Sequence, residues 1–154
     1  MKQMSPPPTI DVCIFERPVG MVEADPFPPD AGAECVFLGR TRGETHPRHG
    51  TLIRLRYEAF RPLADRTLSD LAHDATRRFD CMLVRIHHAV GEVPVGEASV
   101  LVQVVCGHRS KAFEACRFLI DRLKATAPIW KQELWADGTS WSEGTPVDLR
   151  EPPT

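Results

Sequence analysis

The sequence lacks the features that mark membrane, secreted or nucleic-acid-binding chains. No apolar run reaches the roughly 18 residues that a membrane-spanning helix needs. The opening stretch, Met1-Lys2-Gln3-Met4-Ser5-Pro6-Pro7-Pro8, has no apolar segment of the signal-peptide kind. Positive charge is not in excess: 19 Lys+Arg face 21 Asp+Glu, a formal net charge of −2. A general electrostatic grip on nucleic acid is therefore not expected, and the aromatic-rich strand motifs of an RNA-binding α+β domain are missing. The five cysteines (Cys13, Cys35, Cys81, Cys106 and Cys116) are odd in number and form no C-x-x-C pair, which argues against a disulfide framework or a zinc site. Four of them sit among apolar neighbours, where a free thiol packs as a small hydrophobe. Cys106-Gly107-His108 is the one place from which a metal site would start, with His87 or His88 as further ligands. The expectation is a soluble cytoplasmic protein of 154 residues, one domain long enough to bury a core, without a metal.

Lysine is the scarcest of the common charged residues. Four lysines stand against 15 arginines, and three of the four (Lys111, Lys124 and Lys131) fall within one short stretch. Arginine is always protonated, whereas a desolvated lysine can lose its proton and act as a base or nucleophile. Solvated surface accounts for scattered lysines; their clustering points to the stretch itself.

Proline punctuates the ends (Pro6, Pro7 and Pro8; Pro26, Pro28 and Pro29; Pro152 and Pro153), and between Pro62 and Pro128 only Pro94 occurs. Residues 1–8 and 143–154 are accordingly expected as irregular tails. No internal repeat is visible. Residues 9–15 (TIDVCIF), 34–38 (ECVFL) and the alternating 52–59 read as three strands. Ala64, Leu68, Leu71, Ala72, Ala75 and Phe79 recur at helical spacing over 63–79, with Arg66, Asp70, His73 and Arg77 facing water. Two more strands follow at 82–87 and 99–105, joined through 91–96, the second rich enough in Val and Leu to be central. A second helix starts near Ser110 as N-cap. It carries Ala112, Phe113, Cys116, Leu119, Ile120 and Leu123 on one face and stops before Pro128. Residues 129–135 alternate as a last strand. The order β-β-β-α-β-β-α-β predicts an α+β fold, a mixed sheet with two main helices.

Three segments gather polar groups at element ends, where sites tend to sit. Gly39-Arg40-Thr41-Arg42-Gly43 offers two guanidinium forks and bare backbone N–H groups to an anion, or is a solvated turn. Gly107-His108-Arg109-Ser110 leads into a helix N-terminus, which attracts anions through its free N–H groups; a capping turn with a surface His is the alternative. Lys124 borders the apolar stripe of the second helix, a setting that lowers a lysine pKa. Lys131 leaves the last strand on the face opposite Trp130 and Leu134. Both lysines have the alternative of snorkelling on the surface. Trp130, Trp135 and Trp141 read as core or interface anchors.

Taken together, these residues resemble a known family. His108-Arg109-Ser110-x-Ala112-Phe113-x-Ala115, Asp121-x-Leu123-Lys124 and Ala127-Pro128-Ile129-Trp130-Lys131-x-Glu133 are similar to the large, catalytic subunit of molybdopterin synthase. So are Phe37-x-Gly39-x-x-Arg42, Leu55-x-Tyr57-Glu58 and Gly91-Glu92-x-x-x-Gly96-Glu97, in the same order, so the likeness runs from about residue 10 to 142. It implies an α/β-hammerhead-like fold and a sulfurtransferase. Its two substrates would be the thiocarboxylated C-terminus of a small ubiquitin-like subunit and cyclic pyranopterin monophosphate, which becomes the molybdopterin dithiolene. No resident cofactor or metal is implied. The large subunit is expected as a homodimer with a small subunit at each end, a heterotetramer.

By the same resemblance, Lys124 and Lys131 are the expected catalytic residues. Arg40, Thr41 and Arg42 match the substrate-binding turn, His108 and Arg109 the anion pocket, and Lys131, Gln132 and Glu133 the segment that completes it. Three positions depart from the family pattern. Ala89 follows His88 where Arg is frequent, Gln132 stands where a basic residue is common, and Gly43 where Asn is frequent. The alternative these departures leave open is a catalytically silent paralogue that binds a ubiquitin-like sulfur carrier without reacting.

Overall fold

The computed structural model describes residues 4–141. In chain order the elements are β1 (Thr9–Phe15), β2 (Ala33–Arg40), β3 (Thr45–His46), β4 (Gly50–Ala59), α1 (Arg61–Phe79), β5 (Leu83–Ala89), β6 (Gly91–Pro94), β7 (Ala98–Cys106), α2 (Arg109–Thr126), β8 (Ile129–Trp135) and β9 (Gly138–Trp141). The class is α+β. Residues 4–8 carry no regular structure; 1–3 and 142–154, and with them the expected tail over 143–154, lie outside the described residues.

The main sheet has the order β1-β5-β7-β2. β1 and β5 run parallel, and β5–β7 and β7–β2 antiparallel, so the sheet is mixed. β7 is buried at every position, as its continuous apolar run predicts for a central strand. Both helices pack on one face. Ala64, Leu68, Ala72 and Ala75 of α1 form a narrow stripe that lets the helix approach closely. Ala112, Ala115, Cys116, Leu119, Ile120 and Leu123 of α2 meet Val84, Ile86, Val100, Val102 and Val104. Fully buried side chains such as Leu68 and Leu119 each contribute about 1.5–3 kcal/mol.

The opposite face carries a smaller hydrophobic cluster, in which Ala89 and Leu101 are fully buried beside Val36 and Leu38, and next to it a polar ladder. Arg85 donates to Asp11 Oδ2 (2.6 Å) and Gln103 Oε1 (2.6 Å), while Gln103 Nε2 donates to Glu34 Oε2 (3.1 Å), a ladder across all four strands. His87 Nε2 lies 3.1 Å from the same Asp11 oxygen. The loop after β1 covers this ladder, its Val22 carbonyl accepting from Gln103 Nε2 at 2.9 Å.

A second sheet has the order β3-β4-β8-β9, with β6 also paired to β4. Three of its strands, β3, β6 and β9, are two to four residues long, too short to show a period in sequence. Within β4 the simple alternation fails because the register shifts between Leu52 and Arg54. That shift turns Leu52 and Leu55 to the same side, where they bury with Trp135 and leave Ile53 46% exposed.

Three expectations need correction. α2 is capped by His108, whose extended backbone (φ −138, ψ 152) precedes the first helical residue; Ser110 lies inside the first turn with Oγ 3.5 Å from Glu114 Oε1. Phe113 is 64% exposed, because it sits about 100° round the helix from Ala112, and Ala115 takes its place in the core. α1 starts at Arg61 rather than 63, since Pro62 is tolerated in a first turn that has no use for its N–H.

Candidate active site

A cavity of about 600 Å³ opens where the two sheets and the end of α2 meet. The main sheet supplies Phe37, Gly39, Arg40, His88, Ser99 and Val100. α2 supplies Leu123 and Lys124, and the second sheet supplies Leu52, Leu55, Tyr57, Trp130, Lys131 and Glu133. Arg42 and Glu44 close it from the turn after β2. Four cationic side chains (Arg40, Arg42, Lys124 and Lys131) thus face two carboxylates, which favours an anionic ligand.

The turn after β2 is fixed from behind. Buried Thr41 donates its hydroxyl to Val93 O (3.2 Å), its N–H donates to Glu97 O (2.9 Å), and its carbonyl accepts from Gly96 N–H (2.8 Å). With the backbone held, Arg40 and Arg42 point outward. Arg40 Nη1 donates to Gly96 O at 2.9 Å. Arg42 grips Glu44 Oε1 through Nη2 (2.7 Å) and Nε (3.2 Å). That pair is exposed (84% and 42%), a class worth about 1 kcal/mol or less, so an incoming phosphate can displace Glu44. Gly39 is required by close packing: a Cβ there would lie 2.7 Å from Val100 Cγ1.

Lys124 sits exposed in the last turn of α2, where Leu123 buries the stripe beside it. Lys131 is half-buried on β8, directly across from Tyr57 on β4. Gln132, paired with Arg56, leaves β8 on the other side and does not line the cavity. Trp130 is 53% exposed on the rim and Trp135 is buried; the side chain of Trp141 lies outside the described residues.

His108 and Arg109 do not join the cavity. They are exposed at the N-terminus of α2, and the 15 residues from Arg109 to Lys124 span about 22 Å of helix. The residues proposed as metal ligands also point apart: His87 toward Asp11, His88 into the cavity, and His108 to solvent. Among the described residues, no three His, Cys, Asp or Glu side chains are arranged to hold a metal ion.

Tyr57, His88, Ser99 and Glu44 also line the cavity; Tyr57 stood in sequence only within a family motif and His88 only as a possible metal ligand, and nothing singled out Ser99 or Glu44. Burial pushes the Tyr57 phenol above its usual range, partly offset by a hydrogen bond with Ser99. Burial pushes His88 below its usual value, against a hydrogen bond to the Ala89 carbonyl that works the other way. The two rings meet edge to face, centroids 5.3 Å apart.

Residues 16–126 match the family model described as MoaE protein. The chain belongs to the MoaE family. Among its relatives, the molybdopterin synthase catalytic subunit of Arabidopsis thaliana is 44% identical over 117 residues, 76% of this chain and 58% of that one. The chain thus spans somewhat more than half the length of this relative. Among solved MoaE-like structures, molybdopterin synthase from Staphylococcus aureus superposes with a TM-score of 0.74 at 28% identity, covering 84% of this chain and 95% of that one. A complex of subunits 1 and 2 of molybdopterin-converting factor from Helicobacter pylori 26695 contains a chain that matches with a TM-score of 0.62 at 25% identity, covering 80% and 77%.

Proposed function

We propose that this MoaE-family chain is the catalytic subunit of a molybdopterin synthase. It moves sulfur from the C-terminal thiocarboxylate of a small ubiquitin-like subunit to cyclic pyranopterin monophosphate and so builds the dithiolene of molybdopterin. The observation that carries this reading is the arrival of Lys124 and Lys131, from two different layers, at one cavity with Arg40 and Arg42. The arginines suit a phosphate. The thiocarboxylate sulfur bonds to a substrate carbon as a C–O bond breaks, and the departing oxygen needs a proton and charge stabilisation. Lys124 is the proton donor or electrostatic stabiliser of that step and Lys131 its companion, with Glu133 beside them; all the atoms transferred come from the two substrates.

The partner reading draws support from the Helicobacter pylori complex, which joins subunits 1 and 2 of molybdopterin-converting factor. The assembly is a homodimer with a small subunit on each protomer. His108 and Arg109, too far from their own cavity, are placed at the anion of the second copy's cavity. Five free thiols among the described residues support a reducing, cytoplasmic setting.

Reconstitution tests this. The chain, mixed with a thiocarboxylated small subunit and cyclic pyranopterin monophosphate, yields molybdopterin, and Lys124→Ala lowers turnover by about 10²–10⁴-fold. Wild-type turnover in Lys124→Ala removes that assignment. Absence of product from wild type, with the small subunit still bound, supports the silent interaction module instead. Mixing Lys124→Ala chains with His108→Ala chains restores about a quarter of wild-type activity if a two-fold dimer shares its sites; no recovery removes the placement of His108.

A further inference from the structure

We propose that His88 is a catalytic base of the cavity, its Nε2 taking the proton of the water that frees sulfur from the small subunit. This rests on the sulfur-transfer reading above. Once the carrier's sulfur has bonded to the substrate, carrier and substrate are joined through an acyl thioester. Sulfur stays behind only if the acyl carbon–sulfur bond is cleaved. Water adds to the acyl carbon and gives one proton to His88 Nε2. The acyl C–S bond then breaks with its electron pair on sulfur, leaving a substrate thiolate and a carrier carboxylic acid. The acid loses its proton to solvent, and the imidazolium passes its own to the thiolate or to solvent. No redox change occurs.

The geometry singles out this nitrogen. His88 is the last residue but one of β5 and is 5% exposed, yet it lines the cavity. Its Nδ1 lies 2.7 Å from the Ala89 carbonyl, which can only accept. The proton is therefore on Nδ1, and Nε2 carries the lone pair. Burial disfavours the imidazolium and keeps the ring neutral, while the Tyr57 ring fixes its plane.

The other polar groups on the cavity serve less well as proton acceptors. Arg40, Arg42, Lys124 and Lys131 are placed as donors. Tyr57 holds its phenolic proton because burial raises it. Glu44 is an exposed carboxylate that pairs with Arg42 until a phosphate displaces it, and so is also of the weaker-base class. Glu133 remains, and a carboxylate is as a class a weaker base than imidazole.

Single-turnover reconstitution decides the point, using wild type, His88→Asn, His88→Gln and Glu133→Gln. Asn retains a donor for the Ala89 carbonyl and removes Nε2; Gln is the second variant should Asn not fold. The expected result for the His88 variants is product release slowed about 10²–10⁴-fold. The carrier–substrate thioester adduct should accumulate by mass spectrometry, with substrate KM changed less than about 3-fold. Because burial lowers the His88 pKa, the wild-type release rate should hold through the ordinary histidine value of 6.5 and fall only at lower pH, and this acid limb should vanish in the variants. Wild-type release in both His88 variants overturns the proposal. So do slow release without adduct, and loss of the acid limb in Glu133→Gln alone. A wild type that forms neither adduct nor product overturns the sulfur-transfer reading and this inference with it, which distinguishes the two failures.

Discussion

Gly39→Ala puts a methyl group where the cavity wall has no room for one. Its Cβ would lie 2.7 Å from Val100 Cγ1 and 3.2 Å from Phe37 Cε1. Non-bonded carbons rest about 3.5–4.0 Å apart, so Val100 must yield by about 0.8 Å or more. It cannot do so freely, being 5% exposed, packed in the helix-facing core and stiff at χ1. It also pairs with Gly39 across β2 and β7. Overpacking of this kind costs about 1–3 kcal/mol, read as a Tm lowered by about 2–4 °C per kcal/mol in a chain of this length. The register shift that follows Gly39 sets the direction of Arg40. A displacement of about 1 Å there should cost about 10²-fold in kcat/KM. Thermal unfolding followed by circular dichroism, together with steady-state kinetics in the reconstituted system, measures both. Val100→Ala removes the offending Cγ1, so the double variant should recover stability with a coupling above the roughly 0.5 kcal/mol scatter of independent sites. Wild-type Tm and kcat/KM in Gly39→Ala, or an additive cycle, would refute the reasoning.

Other consequences are as direct. Burial would raise the Asp11 carboxyl, but hydrogen bonds from Arg85 and His87 outweigh it and hold the group below its ordinary 3.8. Its stabilising contribution is therefore present above that value and lost as pH falls through the lower folded one. Asp11→Asn should flatten this acid-side loss in urea midpoints taken between about pH 6 and pH 3. Leu119→Ala, at a fully buried position, should cost about 2–5 kcal/mol in urea unfolding, with the m-value unchanged; a loss below about 1 kcal/mol would contradict its place in the core. Thr41→Val removes the donor to Val93 O. It should cost about 1–3 kcal/mol and raise KM for the phosphate-bearing substrate more than it lowers kcat, as the arginine turn loosens.

Long elements with a full period were legible from residues alone: the Ala–Leu stripe of α1, the Val run of β7, and the alternation of β8. The second sheet was not, because β3 pairs only Thr45 and His46 and β6 looks like a Gly–Pro connection. Phe113 was misplaced by counting it as apolar without its angle round the helix. At the cavity, Lys124 and Lys131 were visible as two of only four lysines, and Arg40 and Arg42 as cations between two glycines. Tyr57 and His88 were not visible as cavity residues, since a strand residue's pattern does not say what its face meets. Only the convergence of β4 and β5 on one cavity gives them a role. His108 and Arg109 show the opposite limit, since sequence proximity to α2 says nothing about which end of a 22 Å helix meets the cavity.

The cavity lies on the seam between two sheets, with α2 and β8 joined there only by Ala127 and Pro128. Anything that fills it therefore behaves as a rivet. A ligand at 100 times its Kd adds about 2.7 kcal/mol to global stability, but its local effect is uneven. Amide exchange in β8 and the final turn of α2 should slow most, and β1, on the far edge of the main sheet, least. Substrate occupancy would then report itself as cohesion between two halves that the empty chain holds together more loosely.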